Sequence, residues 1–177
     1  MDTTYEPGYA AVVTVLAILI ALPSAISTWQ FDRILSQTDN RVVVSQWFAQ
    51  HVPPGASILQ SGSAYGHAQF DQRLQYKHWA WDRSRRTFVV DGQPPAGRPD
   101  WILVQDSPLP SQTQDIVKEY LREDYVLAQQ FDALALNSDQ LLYDRQDAFF
   151  APFAGFGQVK RPGPNFLLYK RAGIPSS

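Results

Sequence analysis

Between Pro7 and Phe31 the chain runs 25 residues without a single charged side chain, and no other feature restricts its fold so strongly. The apolar heart is YAAVVTVLAILIALPSAI, Tyr9 to Ile26, in which nine residues are Leu, Ile or Val. Eighteen helical residues at about 1.5 Å each reach roughly 27 Å, close to the ~30 Å hydrocarbon thickness of a bilayer. Those nine aliphatic residues favour insertion by about 3–5 kcal/mol. Tyr9 and Trp29 stand where interfacial aromatics belong. A cleaved signal peptide requires a basic leader, whereas Asp2 and Glu6 are the charges that precede the run. A core helix apolar on every face is out of proportion to so small a domain. The expected organisation is a transmembrane anchor over 1–31, kinked near its end by Pro23, and one domain over 32–177. Arg33 and Arg41 lie just after the run, and counted alone they would put that domain in the cytoplasm.

The second part of the chain has 146 residues, enough for a core of its own. Thr38 or Asp39 can cap a helix in which Val43, Val44, Trp47, Phe48, His51 and Val52 share a face, and Pro53-Pro54-Gly55 stops it. ASILQSG follows as a strand. The unbroken apolar run Trp101 to Val104 suits a central strand covered on both faces. SQTQDIVKEYLRED is amphipathic, with Ile116, Val117, Tyr120 and Leu121 on one side; YVLAQQFDA and NFLLYKR read as strands. Helix, strand, strand, helix, strand, strand predicts a small α/β domain with a mixed sheet. Residues 69–97 and 137–164 give no clear pattern.

The net charge of −2 offers no footprint for nucleic acid, and the absence of cysteine excludes disulfides and thiolate metal sites. GFGQVK opens like a dinucleotide loop, but Lys160 stands where the third glycine belongs and no helix follows. Lys160 and Arg161, beside Gly163 and Asn165, can instead meet a phosphate through charge and exposed N–H groups; the plain alternative is a turn feeding an edge strand, its charges solvated. SGSAYGH fails the spacing of a nucleophile elbow, because Ser63 follows Gly62 directly. A small-residue turn after a strand can still form a ligand-facing rim, which brings in Tyr65 and His67. His67 and Asp71, four apart, could share a helix face, but two ligands without a third make no metal site. No metal and no cofactor is expected. YKHWAWDRSRR interleaves aromatics with cations: as a strand it sets Trp79 and Trp81 on one face with Lys77 and Arg83, opposite Tyr76, His78 and Asp82. Such a face can stack sugar rings or bases or lie against headgroups, and tryptophans packed in a core with cations at the rim explain the same letters.

Taken in order, the apolar helix, DNRVVVSQWFAQHVPPGASIL, RPDWILVQD and AGFGQVKRPGPNFLLYKR resemble the C-terminal end of bacterial polytopic glycosyltransferases of the GT-C class. The resemblance covers nearly the whole chain. It is to the family-39-like enzymes, related to protein O-mannosyltransferases and lipid A aminoarabinose transferases. It implies transfer of a sugar from a polyprenyl-phosphate donor to an extracytoplasmic acceptor. It also places 32–177 outside the inner membrane, beside the remaining transmembrane part of the enzyme. The family's acidic catalytic residue lies in a loop after the first span. No position here matches it, so no catalytic residue carries over. The chain is then expected to be inactive alone, as a fragment whose Met1 is an internal methionine or as a separate subunit. The Lys160–Arg161 loop would lean toward the anionic donor. The rival reading is a single-pass protein whose ectodomain binds carbohydrate or a partner through its Trp/Tyr surface.

Overall fold

The structure is a computed structural model that describes residues 7–82, 84–106, 113–134, 152 and 155–174. The apolar run forms α1 (Pro7–Leu35), a 29-residue helix that passes unbroken through Pro23. Its eighteen-residue apolar window has a mean hydropathy of 2.4 and none of it is buried by protein. By length and composition this helix is able to cross a bilayer, and a helix suits lipid because it satisfies its own backbone. Thr14 and Thr28 turn their hydroxyls back to the carbonyls of Ala10 and Ser24, at 2.8 and 2.9 Å, which pairs both hydroxyls within the helix. α1 continues four residues beyond the expected boundary, and there its character changes: Ile34 is buried in the domain.

α2 (Asn40–His51) begins as expected at an aspartate cap. The Asp39 carboxylate accepts the Arg41 N–H at 2.8 Å. Val44, Phe48 and, just past the helix, Val52 are buried, with Val43 and Trp47 partly so. His51, assigned to the same face, is exposed and stacks on Trp47 at 4.4 Å.

The six strands are β1 (Ser57–Gln60), β2 (Lys77–Asp82), β3 (Thr87–Val89), β4 (Trp101–Asp106), β5 (Tyr125–Phe131) and β6 (Asn165–Arg171). They form one mixed sheet ordered β3-β2-β1-β4-β6-β5. β1 runs parallel to β2 and β4; β3, β6 and β5 join antiparallel. Alternation along β4 divides the core in two. Trp101 and Leu103 join Phe48, Ile58, Phe166 and Leu168 beneath α2. Ile102 joins Leu59, Trp79 and Phe88 on the other face, where α3 (Asp115–Asp124) contributes Val117. Each fully buried side chain of this size contributes about 1.5–3 kcal/mol. β4 is therefore the doubly covered central strand that its apolar run predicts. α3 starts at Asp115, and Ile116, expected on its buried side, remains 36% exposed.

Residues 69–97, without a clear pattern, resolve into a single-turn 3-10 helix, Gln72–Leu74, followed by β2 and β3; a similar turn, Ala64–Gly66, precedes them. Asp82 closes the β2–β3 hairpin by accepting from Ser84 and Arg85. Arg83 lies outside the described residues, as do most of 137–164.

Candidate functional site

β1 is the point where the sheet reverses direction of growth: the chain leaves it for β2 on one side and later lays β4 on the other. Ligands of open α/β sheets gather beyond the carboxyl ends of strands at such switch points. Here the SGSAYGH turn occupies that place. The fully buried Gln105 side chain of β4 wedges into the turn, its amide oxygen accepting the Ser63 N–H at 3.1 Å. A Cβ on Gly62, at φ +92°, would stand 2.4 Å from that oxygen, so this position needs glycine; a Cβ on Gly66 would meet the same amide at 2.4 Å. Ser61 continues the rim, its hydroxyl bonded to that of Thr113 at 3.0 Å.

Beside this rim lies a groove of about 360 Å³, lined among others by Ser61, His67, His78, Trp79, Trp81 and Gln114. It brings together three residues singled out from sequence: His67, Trp79 and Trp81. Trp79 is buried against Phe88 and serves the core. Trp81 is half-buried and set edge-on to Phe88 at 5.0 Å, which fixes its indole while leaving part of it open. His67 has a buried Nε2 without a hydrogen-bond partner among the described residues. Burial, and secondarily the neighbouring His78, hold its pKa below the usual histidine value, so His67 is neutral at pH 7. His67 and Asp71 do not share a helix as the spacing suggested. Gly66 ends one 3-10 turn, and Asp71 caps the next while pairing with Arg73 at 2.6 Å. Among the described residues no three His, Asp or Glu side chains cluster to hold a metal.

His67 also borders a depression of about 380 Å³ lined by Arg41, Ser45, Tyr65 and Gln69. Its polar groups are engaged locally: Arg41 pairs with Asp39 at 2.6 Å and donates to the Tyr65 carbonyl at 2.7 Å, and Ser45 donates to the Gln69 carbonyl at 2.6 Å. The Tyr65 side chain is 74% exposed.

The closing loop has two halves with different work. From Pro162 onward it is a clamp. The buried Asn40 donates its backbone N–H to the Pro162 carbonyl at 2.8 Å and its side-chain amide to Pro164 and Phe131 at 2.7 and 3.0 Å. Gly163, with φ +99°, lies so close to Asp39 that a Cβ would stand 2.7 Å from its carboxylate. Asn165 accepts the N–H groups of Ala133 and Leu134 at 2.7 and 2.8 Å, so its side-chain oxygen is committed to the fold. The strand that follows is β6, an interior strand between β4 and β5 and not the edge that a plain turn predicts. Arg161 is partly buried, its Nε enclosed and without a partner among the described residues.

The earlier half faces α1. Phe156 packs on Phe31 of α1 with ring centroids 5.7 Å apart. A pocket of about 220 Å³ opens between them, lined by Trp29, Gln30, Arg33, Phe156 and Lys160. Lys160 is exposed and lies 3.5 Å from Asp132. Arg33, read in the sequence only as a topology signal, therefore meets Lys160 at one site. Sequence reasoning also missed Ser61, Gln105 and Gln114, whose roles depend on long-range pairing and carry no local signal.

No family model matches the chain, and neither a curated protein nor a solved structure does.

Proposed function

We propose that this chain is the extracytoplasmic, non-catalytic end of a GT-C-class membrane glycosyltransferase, which transfers a sugar from a polyprenyl-phosphate donor. In this reading α1 is lodged in the inner membrane and residues 32–177 face outward, beside the membrane-embedded remainder of the enzyme. The observation that carries it is the seating of the closing loop on the last turns of α1, with Phe31 against Phe156 and Arg33 and Lys160 lining one pocket. Arg33 follows the interfacial Trp29 by one helical turn, about 6 Å further along the axis. That is the depth of lipid phosphates, to which Arg33 and Lys160 would offer positive charge. A prenyl-linked donor carries its phosphate at the same level.

The size of the native protein tests the reading. An antibody raised against residues 32–177 should detect, in the source membranes, an antigen far larger than the 20.0 kDa of this chain or one that copurifies with a polytopic partner. A lone 20.0 kDa antigen with no such partner rejects it and favours a self-standing anchored protein.

A further inference from the structure

We infer that the groove at the carboxyl ends of β1 and β2 is a binding site for a neutral saccharide ring. Its position is the first ground. It opens beside the switch point at β1, on a rim that the Gln105 wedge holds rigid between Gly62 and Gly66. Its chemistry is the second. Among the described residues the lining contains no Asp, Glu, Lys or Arg, and His67 is neutral at pH 7. None of these described residues would give a charged ligand a counter-charge in return for the water it loses there. A purely apolar ligand would cover the Gln114 amide, which makes no capping bond to its own helix, and leave it unpaired, which is costly.

A pyranose meets both conditions. Its C–H face packs on an indole, and Trp81 offers one whose orientation Phe88 fixes. Its hydroxyls donate and accept, matching the Ser61 hydroxyl and the Gln114 amide, while the His67 ring forms part of the wall. Gln60 serves as wall only, because both ends of its amide are bonded to Ala68 at 2.8 and 3.0 Å. A volume of about 360 Å³ lies at the small end of ligand pockets, which suits one or two rings.

The inference is independent of the glycosyltransferase reading, which is judged by antigen size. The full chain is purified in a sugar-free detergent such as an amine oxide. Binding is followed by saturation-transfer NMR and tryptophan fluorescence. The probes are the methyl glycosides of glucose, galactose, mannose and N-acetylglucosamine, with glucuronic acid and glucose 6-phosphate as charged counterparts. At least one neutral glycoside should saturate and both charged sugars should bind at least tenfold more weakly. Trp81→Ala should weaken binding tenfold or more, Trp81→Phe less, and His67→Ala severalfold, with unchanged circular dichroism. Should Trp81→Ala fail to fold, Trp81→Phe and His67→Ala decide the matter. Saturation by none of the four glycosides, equal binding of the charged sugars, or wild-type affinity in Trp81→Phe and His67→Ala overturns the assignment.

Discussion

Asn40→Ala tests the joint between the first and last elements of the domain. Asn40 is 1% exposed, and its amide bridges the carbonyls of Pro164 and Phe131, 124 and 91 residues away in sequence. Alanine removes both hydrogen bonds and leaves two enclosed carbonyls and a small void. An unpaired buried group costs about 1–3 kcal/mol. The backbone bond from Asn40 to Pro162 persists and limits relaxation of the loop, so the expected loss is about 2–4 kcal/mol. That is a large share of the ~5–15 kcal/mol that holds a domain together. Asn40→Asp, similar in volume, should cost more, because a carboxylate would face two carbonyl oxygens. The assay is urea unfolding of the full chain in detergent micelles, followed by tryptophan fluorescence. With a slope of about 2 kcal/mol per molar urea, the Asn40→Ala midpoint should fall by roughly 1–2 M. Asp39→Ala, which removes a helix cap, serves as a scale at about 1 kcal/mol. An Asn40→Ala midpoint within about 0.3 M of wild type would refute the claim that this amide joins the loop to α2.

Other consequences are equally measurable. Gly62→Ala combines φ +92° with a Cβ 2.4 Å from the Gln105 amide oxygen and should cost about 2–4 kcal/mol; adding Gln105→Ala should lose less than the sum of the two, as read from thermal melts. Asp100 accepts from the Ser57 N–H and hydroxyl at 3.0 and 2.8 Å and from Arg171 at 2.8 Å. Asp100→Ala should therefore cost about 1–2 kcal/mol in urea unfolding, and Arg171→Ala less, because that ion pair is partly solvated. His67 has a folded pKa below its unfolded value of 6.5, so the unfolded chain binds the extra proton first. Its contribution is complete above pH 6.5 and is lost as pH falls toward the folded pKa. Unfolding midpoints measured between pH 7.5 and 5 should drop less in His67→Gln than in wild type, and parallel curves would contradict the buried, neutral imidazole.

Much of the architecture was legible because it rests on short-range regularities. The charge-free run specifies a helix apolar on every face. The α2 pattern needed only its Asp39 cap and its Pro-Pro-Gly stop. The apolar stretch at Trp101 announced a doubly covered strand, and NFLLYKR matches β6 residue for residue. β2 and β3 were obscured because Trp79 and Trp81 sit among cations, a mixture that reads equally as surface or core. Only pairing with β1 decides it: Trp79 falls opposite Leu59 and is buried, while Trp81 remains half-open.

The site followed the same division. Residue chemistry was visible in the sequence, since indoles, imidazoles and adjacent cations are individually conspicuous. Their grouping was not. Lys160 and Arg161 are neighbours in the chain, yet one borders a pocket beside α1 and the other is partly buried; Arg33 and Lys160, 127 positions apart, line the same pocket. Asn165, read in the sequence as a phosphate contact, also braces the backbone at Ala133 and Leu134 through its side-chain oxygen. The sequence alone determined α1, α2, β4 and β6, because periodicity and apolar length act within a few turns. Tertiary structure decided which polar groups remain available, because a hydrogen bond satisfied across a hundred residues leaves no trace in local pattern.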